Sequence, residues 1–492
     1  MRQKYFRHSI VGELMILIGL FVMAPVLVII WFPQDYIHFW DFVIPGGSSA
    51  LLGVIFCLKK LTRPKEFISW KESMGRSSLT VLFAWGWGVL IGALPFVISG
   101  QLTMVQGLFE AVSGWTTTGL SVIDVSQTSH IYLFHRSFMQ YCGGLGFIMV
   151  MILFISGKYA MKLYSAEGHP DKIMPNIKKT AKAIFIIYNC CLVLGTIAYR
   201  IAGMPFFDGI CHTMCSLSTG GFSTKLNSIG EYQSLPIEII TIVLMIIGTI
   251  NFAALILLAT GKLKEFSKVS EIRFMFLLFV IFIPPTAYSL SKEFGTSFAH
   301  GLRTASFDIV SAMSTTGYST MSYADWPQFA IGVLILMMVM GGGIGSTAGG
   351  IKLCRVYLML RVVGINIKKR LSPHRHVANP TYVKGTGKSP IDAELAEDTT
   401  GFVMCYLMIF VLGSLALTVA AGCTLTEAMF DFSSALGTVG LSIGITNPTT
   451  AAPALIIEMI GMLMGRLEIF IVIIGITFGF GKIKGFFEKK ER

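Results

Sequence analysis

Thr116-Thr117-Thr118-Gly119-Leu120-Ser121, Ser218-Thr219-Gly220-Gly221-Phe222-Ser223, Ser314-Thr315-Thr316-Gly317-Tyr318-Ser319 and Gly437-Thr438-Val439-Gly440-Leu441-Ser442 share one pattern, (Ser/Thr/Gly)-Thr-x-Gly-(Leu/Phe/Tyr)-Ser. Gly119, Gly221, Gly317 and Gly440 follow one another at spacings of 102, 96 and 123 residues. Each copy lies between two long apolar runs. A polar, glycine-bearing loop repeated four times in an apolar chain can build one ring around one axis. Rings of backbone carbonyls are how a membrane protein replaces the water around a small cation. Some of the dihedrals that turn carbonyls inward strain any residue with a Cβ, so glycine suits such a loop. Non-helical backbone at membrane depth is tolerated where it lines a wet cavity. The competing reading is that Ser, Thr and Gly only let helices approach closely. Four copies in register, each between spanning segments, favour a pore.

Working outward, the chain of 492 residues is 53% hydrophobic and 13% charged, against about 25% charged in soluble domains. Its mean hydropathy is +0.70. These values describe an all-α polytopic membrane protein. Apolar runs predict two leading helices over 10–32 and 37–58. Four helix–pore loop–helix units around a central pore follow. Their first helices are expected near 77–99, 181–203, 272–291 and 399–421, and their second helices near 131–157, 235–260, 327–362 and 453–481. About 20 residues suffice for a hydrocarbon core of ~30 Å, so the pattern gives ten spans. The resulting segments are 1–70 (leading helices), 71–170, 171–265 and 266–363 (units one to three), 364–398 (a polar linker) and 399–492 (unit four). Arg2, Lys4 and Arg7 precede an apolar run that reaches Trp31, which reads as a span rather than a cleavable signal.

The formal charge of +12 suggests nucleic acid until its distribution is considered. Of 39 Lys and Arg, 33 fall at the termini or in every second loop, leaving Arg136, Arg200, Lys225, Lys292, Arg303 and Arg466 elsewhere. This is the positive-inside asymmetry of a membrane protein. It excludes a nucleic-acid partner, places both termini and the linker in the cytoplasm, and puts the four loops on the outer side. The basic inner segments also suit anionic membrane lipid.

The repeat extends upstream of each loop. Nine residues before the shared glycine stand Glu110, His212, Asp308 and Asp431; six before it stand Ser113, Cys215, Ser311 and Ser434. This spacing predicts a half-helix ending at each loop. Its C-terminal carbonyls carry about half a negative charge, and four such ends favour a dehydrated cation. Thr117, Thr219, Thr315 and Thr438 can add hydroxyls. None of the nine cysteines forms a CxxC pair, and Cys211-His212 with Cys215 reads as helix packing rather than a metal site. No catalytic motif stands out, so an enzyme is not expected.

Two features depart from ordinary spanning helices. Gly341, Gly342, Gly343, Gly345, Gly349 and Gly350 put six glycines into ten positions of the third unit's second helix. Each glycine costs about 1 kcal/mol relative to alanine in a helix, so the helix is expected to melt midway. With Ser346 and Thr347, the segment reads as a flexible plug below the loops, or else as a glycine-lined packing kink. Arg466 sits near the middle of the expected helix 453–481, where a cation costs at least ~2.5 kcal/mol. It either pairs with Glu458 or Asp431 or lines the path. Glu468 reads as facing elsewhere, Gly143-Gly144-Leu145-Gly146 reads as close helix packing, and His8, His130, His135, His374 and His376 read as loop or interface residues without a role.

Taken together, the fused units and their Thr-x-Gly loops resemble the Trk/Ktr/HKT superfamily of potassium transporters, and the leading helices and length resemble its TrkH-type membrane subunit. The resemblance covers about residues 77–485. It implies a K⁺ filter at Thr117, Thr118, Gly119, Thr219, Gly220, Gly221, Thr315, Thr316, Gly317, Thr438, Val439 and Gly440. It also implies an intramembrane gating loop at Gly341–Gly350 and a pore arginine at Arg466. Glycine rather than serine at 119 favours K⁺ over Na⁺, while Gly437 and Val439 make the fourth loop the most divergent. The resemblance further implies a homodimer in the bacterial inner membrane, a cytoplasmic TrkA-type nucleotide-binding regulatory subunit, K⁺ as the transported ion and no organic cofactor. A bare channel, a symporter coupled to H⁺ or Na⁺, and a carrier for another small solute remain as alternatives. The fourfold outward repetition of the loops disfavours the last of these.

Overall fold

A computed structural model describes residues 10–58, 70–146, 177–371 and 380–488. The leading pair is built from Ile10–Met23, continued by a 3-10 turn over Ala24–Ile30, and Phe39–Leu58. The two helices meet backbone to backbone. A Cβ on Gly12 would stand 2.7 Å from the Gly53 carbonyl oxygen, and one on Gly46 the same distance from the Gly19 oxygen. Small residues allow this approach in lipid, where packing rather than water drives association.

Each unit then repeats a first helix, a half-helix, a loop and a second helix. The first helices are Trp70–Ile98, Ile177–Ile201, Ser270–Phe294 and Ala393–Ala421. They form the outer wall and expose apolar side chains such as Leu194, Val280, Met408 and Val419. A soluble protein would not leave so much apolar surface bare; here it faces lipid. The half-helices are Met104–Trp115, Phe206–Leu217, Phe298–Ser314 and Leu425–Gly437, and their C-terminal turns are buried. Three start on side-chain caps. Thr103 with Gln106 and Thr424 with Glu427 form capping boxes, and Ser297 accepts from the His300 N–H. These satisfy donors that the start of a helix otherwise leaves unpaired.

The second helices differ from the sequence expectation. Unit two breaks between Leu235–Thr249 and Phe252–Ala259 with a bend of 119°, and unit four breaks between Ala452–Arg466 and Ile469–Gly481 with a bend of 106°. Unit three is interrupted between Gln328–Met340 and Leu353–Leu371. In unit one His130–Leu145 stops at Gly146, and the remainder of the expected helix 131–157 lies outside the described residues. Continuous helices over 235–260 and 453–481 are therefore corrected. Arg466 ends a helix rather than sitting inside one. Among the described residues, six helices are long and apolar enough to span, and the two bent pairs bring this to eight.

The polar segment 364–398 is more ordered than its composition suggests. The helix Leu353–Leu371 runs well into it. Strands Thr381–Lys384 and Gly387–Pro390 pair antiparallel, with Lys384 opposite Gly387. Tyr382 is buried with Cys354 and Leu358, and the Val383 N–H donates to Ser270 Oγ at 3.0 Å, fixing the hairpin to the start of the third unit. His135, expected in a loop or interface, is buried inside the second helix of unit one, where its Nε2 lies 3.0 Å from the Gly92 carbonyl.

Candidate ion filter and gate

The four half-helices end in the same way. Thr117, Thr219, Thr315 and Thr438 are left-handed, with φ of 56°, 52°, 56° and 51°. Their N–H groups reach back three residues, to Gly114, Ser216, Ala312 and Ala435. The next residues, Thr118, Gly220, Thr316 and Val439, donate five residues back to Ser113, Cys215, Ser311 and Ser434 at 2.8–3.0 Å. This is a Schellman ending, a position that glycine usually fills. A β-branched residue there is a conformational outlier, and such strain costs on the order of 1–3 kcal/mol. The same strained threonine recurs in all four loops. The shared glycines follow at φ of 98°, 73°, 82° and 98°.

These loops meet in a closed ring. A Cβ on Gly119 would overlap the Gly220 carbonyl oxygen, and one on Gly221 would overlap that of Thr316. One on Gly317 would overlap the Val439 oxygen, and one on Gly440 the Thr118 oxygen. Each glycine thus abuts the preceding carbonyl of the next loop, and the fourth loop returns to the first. Only an absent side chain permits this approach.

The upstream acids and histidine clamp the outward limb of each loop. Glu110 accepts from Ser121 Oγ at 2.9 Å and the Val122 N–H at 3.1 Å. His212 Nε2 lies 3.0 Å from Ser223 Oγ. Asp308 accepts from Thr320 and Tyr323, both at 2.7 Å. Asp431 accepts from Ser442 Oγ at 2.6 Å and the Ile443 N–H at 2.8 Å. The sequence signal was present, because the upstream residue and, in units one, two and four, its serine partner repeat with the loop; in unit three Thr320 and Tyr323 take the place of Ser319. Only the pairing was not legible. With His212 Nδ1 2.8 Å from the Asp208 carbonyl, both ring nitrogens are engaged. No group of three or more His, Cys, Asp or Glu among the described residues suits a metal ion.

Directly against the strained threonines lies the glycine-rich segment. Gly341 and Gly350 are left-handed and pack on each other, and Gly345 is left-handed as well. Gly342 packs against Thr249, and the Gly343 N–H donates to the Thr249 carbonyl at 3.0 Å. Ser346 Oγ donates to the Gly343 carbonyl at 2.6 Å. Thr347 Oγ1 reaches the Gly248 carbonyl at 2.9 Å and Thr219 Oγ1 at 3.1 Å. The Gly349 N–H donates to Thr315 Oγ1 at 2.9 Å, and Gly349 packs on Gly437 and Thr438. The segment thereby touches units two, three and four. Arg466 supplies the first unit: it donates to the Thr347 carbonyl at 3.0 Å and to the Gly143 and Gly144 carbonyls at 2.6 and 3.2 Å.

Of the two readings open for Arg466, an ion pair with Glu458 or Asp431 gives way to carbonyls: Glu458 accepts from Thr446 Oγ1 at 2.9 Å and Asp431 from Ser442 Oγ at 2.6 Å. Gly143 and Gly144 do pack closely, and they also hold this guanidinium. Glu468 faces away and binds Arg355 at 2.6 Å. The sequence reading gave no role to Arg355, nor to Arg136, whose guanidinium lies 2.6 Å from Glu110 and 4.0 Å above the Phe222 ring. The hydroxyls of Thr117 and Thr438 are buried with no hydrogen-bond partner among the described residues.

A helical membrane protein whose four re-entrant loops close one ring over a glycine-rich segment belongs to the class of pore-loop transport proteins. Residues 70–478 match the TrkH family model, described as a cation transport protein. An uncharacterized cation transporter of Methanocaldococcus jannaschii is 29% identical over 94% of both chains. The Trk system potassium uptake protein TrkH of Escherichia coli is 32% identical over 81% of this chain and 84% of its own. The crystal structure of the potassium transporter TrkH from Vibrio parahaemolyticus superposes with a TM-score of 0.81 at 29% identity, covering 94% of this chain and 97% of that one. The chain belongs to the TrkH family of cation transport proteins.

Proposed function

We propose that the protein takes up K⁺ through the ring formed by residues 117–119, 219–221, 315–317 and 438–440. The observation that carries this reading is the cyclic contact of each glycine with the next loop's carbonyl. Such a ring offers main-chain oxygens in place of a hydration shell, and the four half-helix C-termini add negative potential beneath it. The Thr117 and Thr438 hydroxyls, with no partner among the described residues, suit an ion at the ring's inner end. The segment Gly341–Gly350 closes that end, and Arg466 holds it shut as a fixed positive charge. The relatives named as Trk potassium uptake proteins support K⁺ as the ion. The charge asymmetry supports cytoplasmic termini in the inner membrane. The resemblance supports a homodimer working with a cytoplasmic nucleotide-binding subunit.

The test is K⁺ and Na⁺ flux into vesicles reconstituted with the purified protein. K⁺ uptake that excess Na⁺ fails to match supports the reading; equal uptake of the two ions overturns the K⁺ assignment.

A further inference from the structure

The second helix of unit one carries a polar residue that its counterparts in units two and four lack. Gly143, Gly248 and Gly465 are equivalent positions: a Cβ on each would overlap or press on the carbonyl oxygen of Trp115, Leu217 or Leu436, each four residues before its loop's shared glycine. Three residues earlier stand Gln140, Met245 and Met462, all fully buried. Two units therefore place an apolar thioether where the first places a carboxamide. A buried carboxamide must find hydrogen bonds, and this one takes both from the adjacent loop. Gln140 Nε2 donates to the Gly220 carbonyl at 2.6 Å, and the Phe222 N–H donates to Gln140 Oε1 at 3.0 Å. The Gly220 oxygen is also the ring oxygen that abuts Gly119. The absent side chain at Gly220 makes room for the clamp, since a Cβ there would enter the carboxamide itself.

We propose that Gln140 is a specificity-determining positioning residue for the ion path, an inference that rests on the filter reading above. It grips one ring carbonyl from behind while a second contact fixes the residue just past Gly221. A carbonyl oxygen has two lone pairs, so the amide and a passing cation share it. The shared oxygen is held at a fixed distance from the axis and cannot tilt inward to wrap a smaller ion. The ring is consequently asymmetric, with one carbonyl anchored to a neighbouring unit's helix.

The experiment replaces Gln140 with the residue its counterparts carry, Gln140→Met, which conserves volume and removes both bonds. The full-length protein is reconstituted, and the Na⁺/K⁺ permeability ratio is read from reversal potentials beside total flux and thermal stability. The ratio is expected to rise about three- to tenfold, the scale set by one hydrogen bond. A purely structural role would lower stability or flux and leave the ratio unmoved. Gly119→Ser, whose side chain would press on the Gly220 oxygen, serves as the comparison. If it shifts the ratio and Gln140→Met does not, the role of Gln140 is overturned while the filter stands. If neither variant shifts the ratio, both readings fall. Should Gln140→Met not be recovered in membranes, Gln140→Asn, one carbon too short to reach Gly220, is read in the same way.

Discussion

The left-handed threonines stand against local preference. Glycine would relieve the strain at each Schellman ending, and the chain uses threonine in all four loops. Thr219 and Thr315 spend their hydroxyls on the plug. Those of Thr117 and Thr438 have no partner among the described residues, which costs about 1–3 kcal/mol per buried hydroxyl. Thr117→Val with Thr438→Val keeps shape and strain and removes these hydroxyls. Thermal unfolding of this double variant should occur at or above the parent temperature while K⁺ flux falls at least about tenfold, the scale of a single contact to a charge; parent-level flux would show that the hydroxyls do not meet the ion. Glu110 and Arg136 are the opposite case, an ion pair made for structure, at 0% and 2% side-chain exposure. Glu110→Ala strands the cation and should cost about 3–5 kcal/mol in denaturation experiments, whereas replacing both by apolar residues should recover most of that loss. Similar losses from the single and double changes would contradict the pairing.

At the scale of elements, the segment Gly341–Gly350, the proposed plug, is a helix taken apart by its glycines and rebuilt on neighbours. Its backbone is satisfied largely from neighbouring elements, by Thr249, Glu271, Thr315 and Arg466, with Ser346 closing a local bond to Gly343. Arg466 holds it with charge-assisted bonds to three carbonyls from two units, and such bonds are about twice as strong as neutral ones. Arg466→Gln, or a shortened 341–350 segment, should raise passive K⁺ flux severalfold in correctly inserted protein; unchanged or lower flux would argue against a gate. The half-helix starting at Thr424 offers a control away from the ion: Thr424→Ala should cost about 1 kcal/mol of stability and leave the Na⁺/K⁺ ratio as it was, and a changed ratio would mean that the cap does more than hold the helix.

Across the whole molecule, the sequence made the repeated parts legible and left their joints hidden. Composition, charge asymmetry and the four loops define the units because each signal is local or periodic. The six glycines foretold the interrupted helix for the same reason. The bends at residues 250–251 and 467–468 left no comparable mark. Asn251 there binds the Ile344 carbonyl of the plug, a contact only the folded chain creates. Arg466 was visible as an anomaly, but its carbonyl partners lie 119 to 323 residues away in sequence, and no periodicity encodes a main-chain acceptor. The hairpin at 381–390 was missed because its short polar strands carry little pattern and owe their order to Tyr382 and Ser270.

The central claim is that the four loops surround one dehydrated alkali cation. A crystal of the protein soaked in Tl⁺ or Rb⁺ tests it most directly through anomalous scattering. The account predicts a peak on the ring axis, between the level of Thr117, Thr219, Thr315 and Thr438 and that of Gly119, Gly221, Gly317 and Gly440. An empty axis, with the ion bound only elsewhere, would contradict it.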